Sequence, residues 1–200
     1  MHFQKFMAAG LCAALLGGCA SMAPTRPAAP GAALSPYRDH FEAAGRLSVN
    51  YKHNGNPESL TGKFTWLQSP ARLDVTLSSP LATIATITVT PESATLVQAD
   101  KAPRVAADLD TLTTQSLGWT LPVTGLRDWL QGYATAADGS RFTASEANNN
   151  VTTRDGWRLR FVSWQADPTG RLLPKRIDAE RIGAANVDEL ALRIVLDSQG

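Results

Sequence analysis

The chain is poor in the side chains that do most covalent and metal chemistry: it has three histidines and two cysteines in 200 residues. After Cys19 only His40 and His53 remain, and no cysteine pair exists to build a disulfide or a thiolate metal site. Gly-x-Ser-x-Gly elbows, His-Glu-x-x-His pairs and phosphate-cradling glycine loops are all missing. Asp108 and Asp110 read as solvated carboxylates, not as an acid and its base, so the sequence argues against an enzyme. An excess of one charge is also lacking. Lys5 is the only charged residue before Cys19, and the rest balances 18 basic against 18 acidic residues. Such a balance gives no field for nucleic acid or another polyanion. Beyond residue 19 no apolar run approaches the ~20 residues that a spanning helix needs. What is present is 44% apolar content, enough for one domain with a sizeable core.

The amino terminus is the most specific stretch. Lys5 gives a weakly basic start, Met7 to Leu16 is apolar, and small residues follow, so residues 1–18 read as a secretory signal too short to span a bilayer. Leu16-Gly17-Gly18-Cys19 resembles the lipobox of bacterial lipoproteins, with a plain secretory peptide as the alternative. The resemblance implies a diacylglyceryl group on the Cys19 sulfur, cleavage before it, and an N-acyl chain, with no other cofactor. Cys12 leaves with the signal, and lipidation explains a lone thiol in an oxidising compartment. Two or more acyl chains anchor stably, because each buried methylene contributes ~0.8 kcal/mol. Residues 19–35, rich in Pro, Ala and Gly, then read as a flexible tether, and 36–200 as the folded domain.

Ser35-Pro36 looks like an N-cap and first helical position, which predicts a short helix through Phe41 to Ala44, with His40 on it. From Gly45 the apolar period becomes two. Leu47, Val49 and Tyr51 alternate with polar residues, followed by Phe64 and Trp66, then Leu73, Val75 and Leu77. Ala85, Ile87 and Val89 continue the pattern, as do residues 94–98, Trp157 to Phe161, Ile177 to Ala179, and Leu190 to Leu196. Turn residues in the gaps predict an antiparallel meander with one apolar face. Two helices interrupt it: Val105, Leu109 and Leu112 make one stripe, ending at Gly118, and Leu126, Trp129, Leu130 and Tyr133 make another between Pro122 and Gly132. Their place between two groups of strands suggests a cap over the apolar face. Residues 134–153 carry no clear pattern.

Two features have both a structural and a functional reading. Trp66, Trp119, Trp129, Trp157 and Trp164 fill a core or line a hollow. Pro80-Leu81 puts an aliphatic side chain on a hairpin tip, where polar residues are usual. Leu81 either folds back on the sheet or stands out as an apolar finger.

Taken in order, these segments resemble the LolB family of outer-membrane lipoproteins. The match rests on the lipobox, Gly45-Arg46-Leu47-Ser48-Val49, Phe64-Thr65-Trp66, Leu77 through Ser79-Pro80-Leu81, and Leu121-Pro122-Val123. It continues with Leu126 to Gly132, Trp157 to Phe161, and Leu173-Pro174, covering about residues 37 to 197. The resemblance implies a mainly β (α+β) fold, an incomplete antiparallel β-barrel with a helical lid over an apolar cavity. It implies that the protein accepts client lipoproteins from a LolA-like periplasmic carrier without nucleotide hydrolysis. Insertion into the inner leaflet of the outer membrane follows. By position it assigns acyl-chain contacts to Leu47, Val49, Phe64, Trp66, Val75, Leu77, Leu126, Trp129, Trp157 and Phe161. Pro80 and Leu81 become a membrane-insertion loop, although Ala82 stands where the family often has glycine. Ala20 in place of Asp after Cys19 favours the outer membrane, with the domain facing the periplasm, and a monomer is expected. A structural lipoprotein of an envelope assembly is the rival reading; it shares the lipobox but predicts no cavity for acyl chains.

Overall fold

The computed structural model describes residues 29, 31–53, 55–99, 101–117, 121–184 and 187–198. Among them, ten strands form one sheet in the order β6-β5-β4-β3-β2-β1-β12-β11-β10-β9. Its first wing runs through β1 (Phe41–His53), β2 (Asn56–Gln68), β3 (Leu73–Ser78), β4 (Thr83–Val89), β5 (Ala94–Gln98) and β6 (Arg104–Ala106). Two helices, α1 (Leu109–Leu117) and α2 (Val123–Trp129), follow, and then a small hairpin of β7 (Tyr133–Thr135) and β8 (Arg141–Thr143). The second wing is β9 (Asn150–Thr152), β10 (Arg158–Ala166), β11 (Leu172–Ala184) and β12 (Val187–Leu196). β12 pairs with β1 and joins the wings; β6 and β9 stand at the free edges. The sheet is therefore an incomplete antiparallel barrel with the helices over its concave face, as the family resemblance implied.

Alternation decides which face is inside. Phe41, Gly45 and Val49 are buried while Glu42, Ala44 and Arg46 are exposed. The curl brings backbones close at Gly45, where a Cβ would lie 2.2 Å from the Val195 carbonyl oxygen, so only glycine lets β1 approach β12 there. Register shifts at Phe161/Ser163 and Ser163/Trp164 interrupt the regular β10–β11 ladder.

Two sequence expectations are corrected. Residues 35–40 do not form a helix, and Phe41–Ala44 already belong to β1, paired from Phe41↔Gln68 onward. Glu42-Ala43-Ala44 are good helix formers, but a long strand partner and burial of Phe41 outweigh that local preference. The Ser35 hydroxyl caps nothing and donates instead to the Asp167 carboxylate, while His40 lies in a bend. Val105 is not on the helical stripe but in strand β6, and is 65% exposed; Asp108 starts α1 by accepting the Thr111 N–H at 2.7 Å. The expected stop at Gly118 lies outside the described residues.

The chain locks on at the base of the second wing. Leu34 bridges Leu172, and the Ser35 N–H donates to the Leu172 carbonyl at 2.9 Å. Burial pushes the Asp167 carboxyl up, but donors from Ser35, Thr169 and the Arg171 backbone outweigh it and hold it at about 2. All strand partners and the described core fall between Phe41 and Leu196, so residues 31–198 hold the contacts needed to fold as a unit.

Candidate functional site

Between the first wing and the helices lies a mainly apolar cavity of about 300 Å³, the lower end of the range for ligand clefts. Its floor is built from cross-strand rows. Trp66, Val75, Ile87 and Leu96 face one another in register across β2 to β5, and Phe64, Leu77, Ala85 and Gln98 form the next row. Leu47 and Val49 continue the floor onto β1, and Ile194 onto β12. The roof comes from Leu112 and Thr113 of α1, Val123 and Leu126 of α2, and Leu130 just beyond it. The described roof side chains are aliphatic or threonine, and Ala85 on the floor is short, so the two layers meet without filling the space.

The polar atoms of Trp66 and Thr113 are spent internally. Trp66 Nε1 donates to Gln68 Oε1 at 3.1 Å, and Gln68 Nε2 donates to the Tyr37 hydroxyl at 3.1 Å. The Thr113 hydroxyl donates back to the Leu109 carbonyl at 3.0 Å and accepts the Leu121 N–H at 3.3 Å. What faces the hollow is mostly hydrocarbon, with Tyr51, Ser59 and Gln98 adding polar groups to the wall.

Of the residues to which the resemblance assigned acyl-chain contacts, Leu47, Val49, Phe64, Trp66, Val75, Leu77 and Leu126 line this cavity. Trp129, Trp157 and Phe161 do not. Trp129 packs edge-on against Trp157 at 5.7 Å, and Phe161 is stacked between Phe142 and Trp164. These rings pack the inner face of the second wing. Sequence reasoning also left out Leu60, Ile84, Ala85, Ile87, Leu96 and Leu112, which line the cavity. The period-two faces of β4 and β5 carried the signal: Ile87 and Leu96 share the parity of Val75 once the hairpins are paired.

Leu81 stands out from the β3–β4 loop, 97% exposed. The Ser79 N–H donates to the Ala82 carbonyl at 2.8 Å, and Ser79 Oγ accepts the Ala82 N–H at 3.2 Å. This clamp leaves Pro80 and Leu81 at the tip, where the side chain cannot reach the sheet. The loop sits at the same end of the barrel as the β1–β2 and β11–β12 turns, and the Leu34 attachment is at the other end. Cys19 and Trp119 lie outside the described residues.

Asp108 serves as the cap of α1, and the backbone N–H of Thr111 holds its carboxyl below the usual range. Burial, then Asp108 and Asp155, push Asp110 up, against the pull of Arg181. No described helix is long and apolar enough to cross a membrane.

The family model described as "Outer membrane lipoprotein LolB" matches residues 39–198. The chain is 38% identical to the outer-membrane lipoprotein LolB of Cupriavidus taiwanensis over 92% of its own length and 91% of that protein. It is 39% identical to the LolB of Cupriavidus metallidurans, covering 92% and 90%, and 34% identical to that of Ralstonia nicotianae, covering 94% and 93%. Matches of this depth and coverage, on the fold and cavity described above, make the chain a member of the LolB family of outer-membrane lipoproteins.

Proposed function

We propose that this protein receives lipoproteins at the outer membrane, holds their acyl chains in the cavity under the helices, and releases them into the inner leaflet. The observation that carries this reading is a mainly apolar cavity left unfilled by the protein's own side chains. An acyl chain in water loses ~0.8 kcal/mol for every methylene not buried, so a soluble step between membranes requires such a hollow. The protein acts as a monomer, anchored through a diacylglyceryl group and an N-acyl chain on Cys19, and faces the periplasm. It takes clients from a LolA-like carrier by higher affinity alone, since a ligand distributes according to differential binding. Leu81 enters the bilayer during release. No bond is made or broken in the client, so this is not an enzyme's role.

Transfer tests the proposal directly. A purified LolA-like carrier loaded with a lipoprotein is mixed with the domain of residues 31–198, without nucleotide, and the complexes are separated. The client should move to the domain. Retention on the carrier at every ratio would refute the receiving role.

A further inference from the structure

Among the described residues that line the apolar cavity, Gln98 is set apart by a side-chain amide with no hydrogen-bond partner. It ends β5 in the in-register row Phe64, Leu77, Ala85 and Gln98, and all four line the cavity. Strand alternation gives it the inward parity of Ala94 and Leu96, which are buried. Its backbone carbonyl accepts the Lys101 N–H at 3.3 Å where the chain turns toward β6, while its side chain is half-buried. The other polar side chains of the wall differ. The Tyr51 hydroxyl donates to Glu58, and the Thr113 hydroxyl donates to the Leu109 carbonyl. Ser59 is exposed and lies opposite Asn50 on the outward parity of the sheet.

Position and charge narrow what the Gln98 amide can meet. No described residue of the cavity lining carries a charge, so the polar part of a ligand held there is neutral. One register step toward the base, roughly 7 Å away, Trp66, Val75, Ile87 and Leu96 offer hydrocarbon to a tail. Gln98 stands at the Leu81 side of that row, where the head of the same ligand comes to rest. A side-chain amide both donates and accepts, so it fits a head that carries an N–H and a carbonyl side by side. The protein already uses this pairing elsewhere. Gln131 Oε1 accepts the Arg38 N–H at 2.9 Å, while Gln131 Nε2 donates to the Arg38 carbonyl at 3.0 Å.

We propose that Gln98 recognises the N-acyl amide at the head of a bound acyl chain, its Oε1 accepting the amide N–H and its Nε2 donating to the neighbouring carbonyl. The proposal rests on the acyl-binding reading above and adds a selectivity to it: an N-acylated amino-terminal residue is preferred over an ester of the same length. That chemistry distinguishes the N-acyl chain of a lipoprotein from the chains of a diacyl phospholipid, which are held by esters.

The test uses the domain of residues 31–198 and displacement of N-phenylnaphthylamine, a hydrocarbon-site probe. The competitors are N-decanoylglycine methylamide and its ester analogue, in which oxygen replaces the acylated N–H. Both keep the same chain and both carbonyls. Transfer into hydrocarbon alone favours the ester, which has one donor fewer to desolvate, so an amide preference has to come from a partner in the wall. The amide should compete about three- to tenfold better, the worth of one neutral hydrogen bond. In Gln98→Leu that preference should vanish or reverse while probe affinity holds, and the nearly isosteric Gln98→Met should behave the same way. Equal or weaker competition by the amide against the natural sequence overturns the proposal whatever the variants do. A preference that survives in either folded variant overturns it too. If neither the probe nor any competitor binds, the acyl cavity itself is refuted, a result distinct from binding without preference.

Discussion

The two wings of the sheet carry the same alternating pattern and comparable aromatic content, yet one is solid and the other hollow. In the second wing Leu159, Phe161, Ile177 and Ala179 are fully buried, and Trp129, Trp157 and Phe142 are laid over them. In the first wing Val75, Leu77 and Ala85 are only partly buried, because the side chains above them are aliphatic and fall short. Periodicity fixes which face points inward. Whether that face is met by rings or by leucines decides whether the interior is a core or a container.

The sharpest way to break the comparison is truncation in both wings. Phe161→Ala should cost about 3–5 kcal/mol, since it opens a void where packing is complete. Val75→Ala should cost about 1 kcal/mol, because that side chain already borders empty space and loses mainly transfer energy. Urea unfolding monitored by tryptophan fluorescence measures both. Similar losses would mean that the first wing is as tightly packed as the second.

Enlargement turns the test around. Ala179→Phe inserts a ring into a filled layer and should destabilise by up to about 3 kcal/mol. The same change at Ala85 points into the hollow, so stability should change by less than about 1 kcal/mol while binding of N-phenylnaphthylamine falls at least tenfold. A marginally folded Ala85→Phe would show that the cavity has no room for a ring.

Much of the strand and helix layout was legible in the sequence. The period-two runs located most long strands, the Pro122–Gly132 stripe located α2, and chain order placed the helices over the sheet. Misreadings came where local chemistry and tertiary pairing disagree. Ser35-Pro36 followed by Glu42-Ala43-Ala44 looks helical to its neighbours, but the strand opposite, Asn56–Gln68, was too distant in sequence to weigh. The hollow itself was illegible from the residues alone. Trp66 and Trp157 sit in similar alternating runs, and only the facing helix decides that one borders space and the other a second indole. The exposure of Leu81 hung on Ser79, whose hydroxyl fastens the turn in a way that composition does not display.

The second wing also receives the chain from its amino terminus, through the buried carboxylate of Asp167. Its folded-state pKa of about 2 lies below the ordinary 3.8. A depressed value means stability that is present above the unfolded pKa and lost as pH falls from about 4 toward 2. Asp167→Asn should therefore lower stability at pH 7 by roughly 2 kcal/mol and flatten the acid limb of the pH profile. Among the described residues no such carboxylate clamp stands at the outer edge of the first wing, so substitutions in β6 should leave that limb unchanged. An unaltered acid limb in Asp167→Asn would mean that the carboxylate does not hold the chain's attachment.

The smallest effect on folding should accompany a large effect on function. Leu81 makes no core contact and its turn is fastened by Ser79, so Leu81→Glu should change stability by less than about 0.5 kcal/mol. The loop lies at the same end of the barrel as the β1–β2 turn and holds its aliphatic side chain clear of the sheet, free to enter a bilayer. Carrying a carboxylate into the hydrocarbon costs about 2.5–3.5 kcal/mol on insertion scales, enough to slow release strongly. The variant should still take a client from the carrier, and then fail to deposit it in liposomes of outer-membrane lipids. Loss of receipt as well would tie Leu81 to the carrier contact instead of the membrane. Normal deposition would leave the finger without a role, and the hollow wing would then have to empty by opening its lid alone.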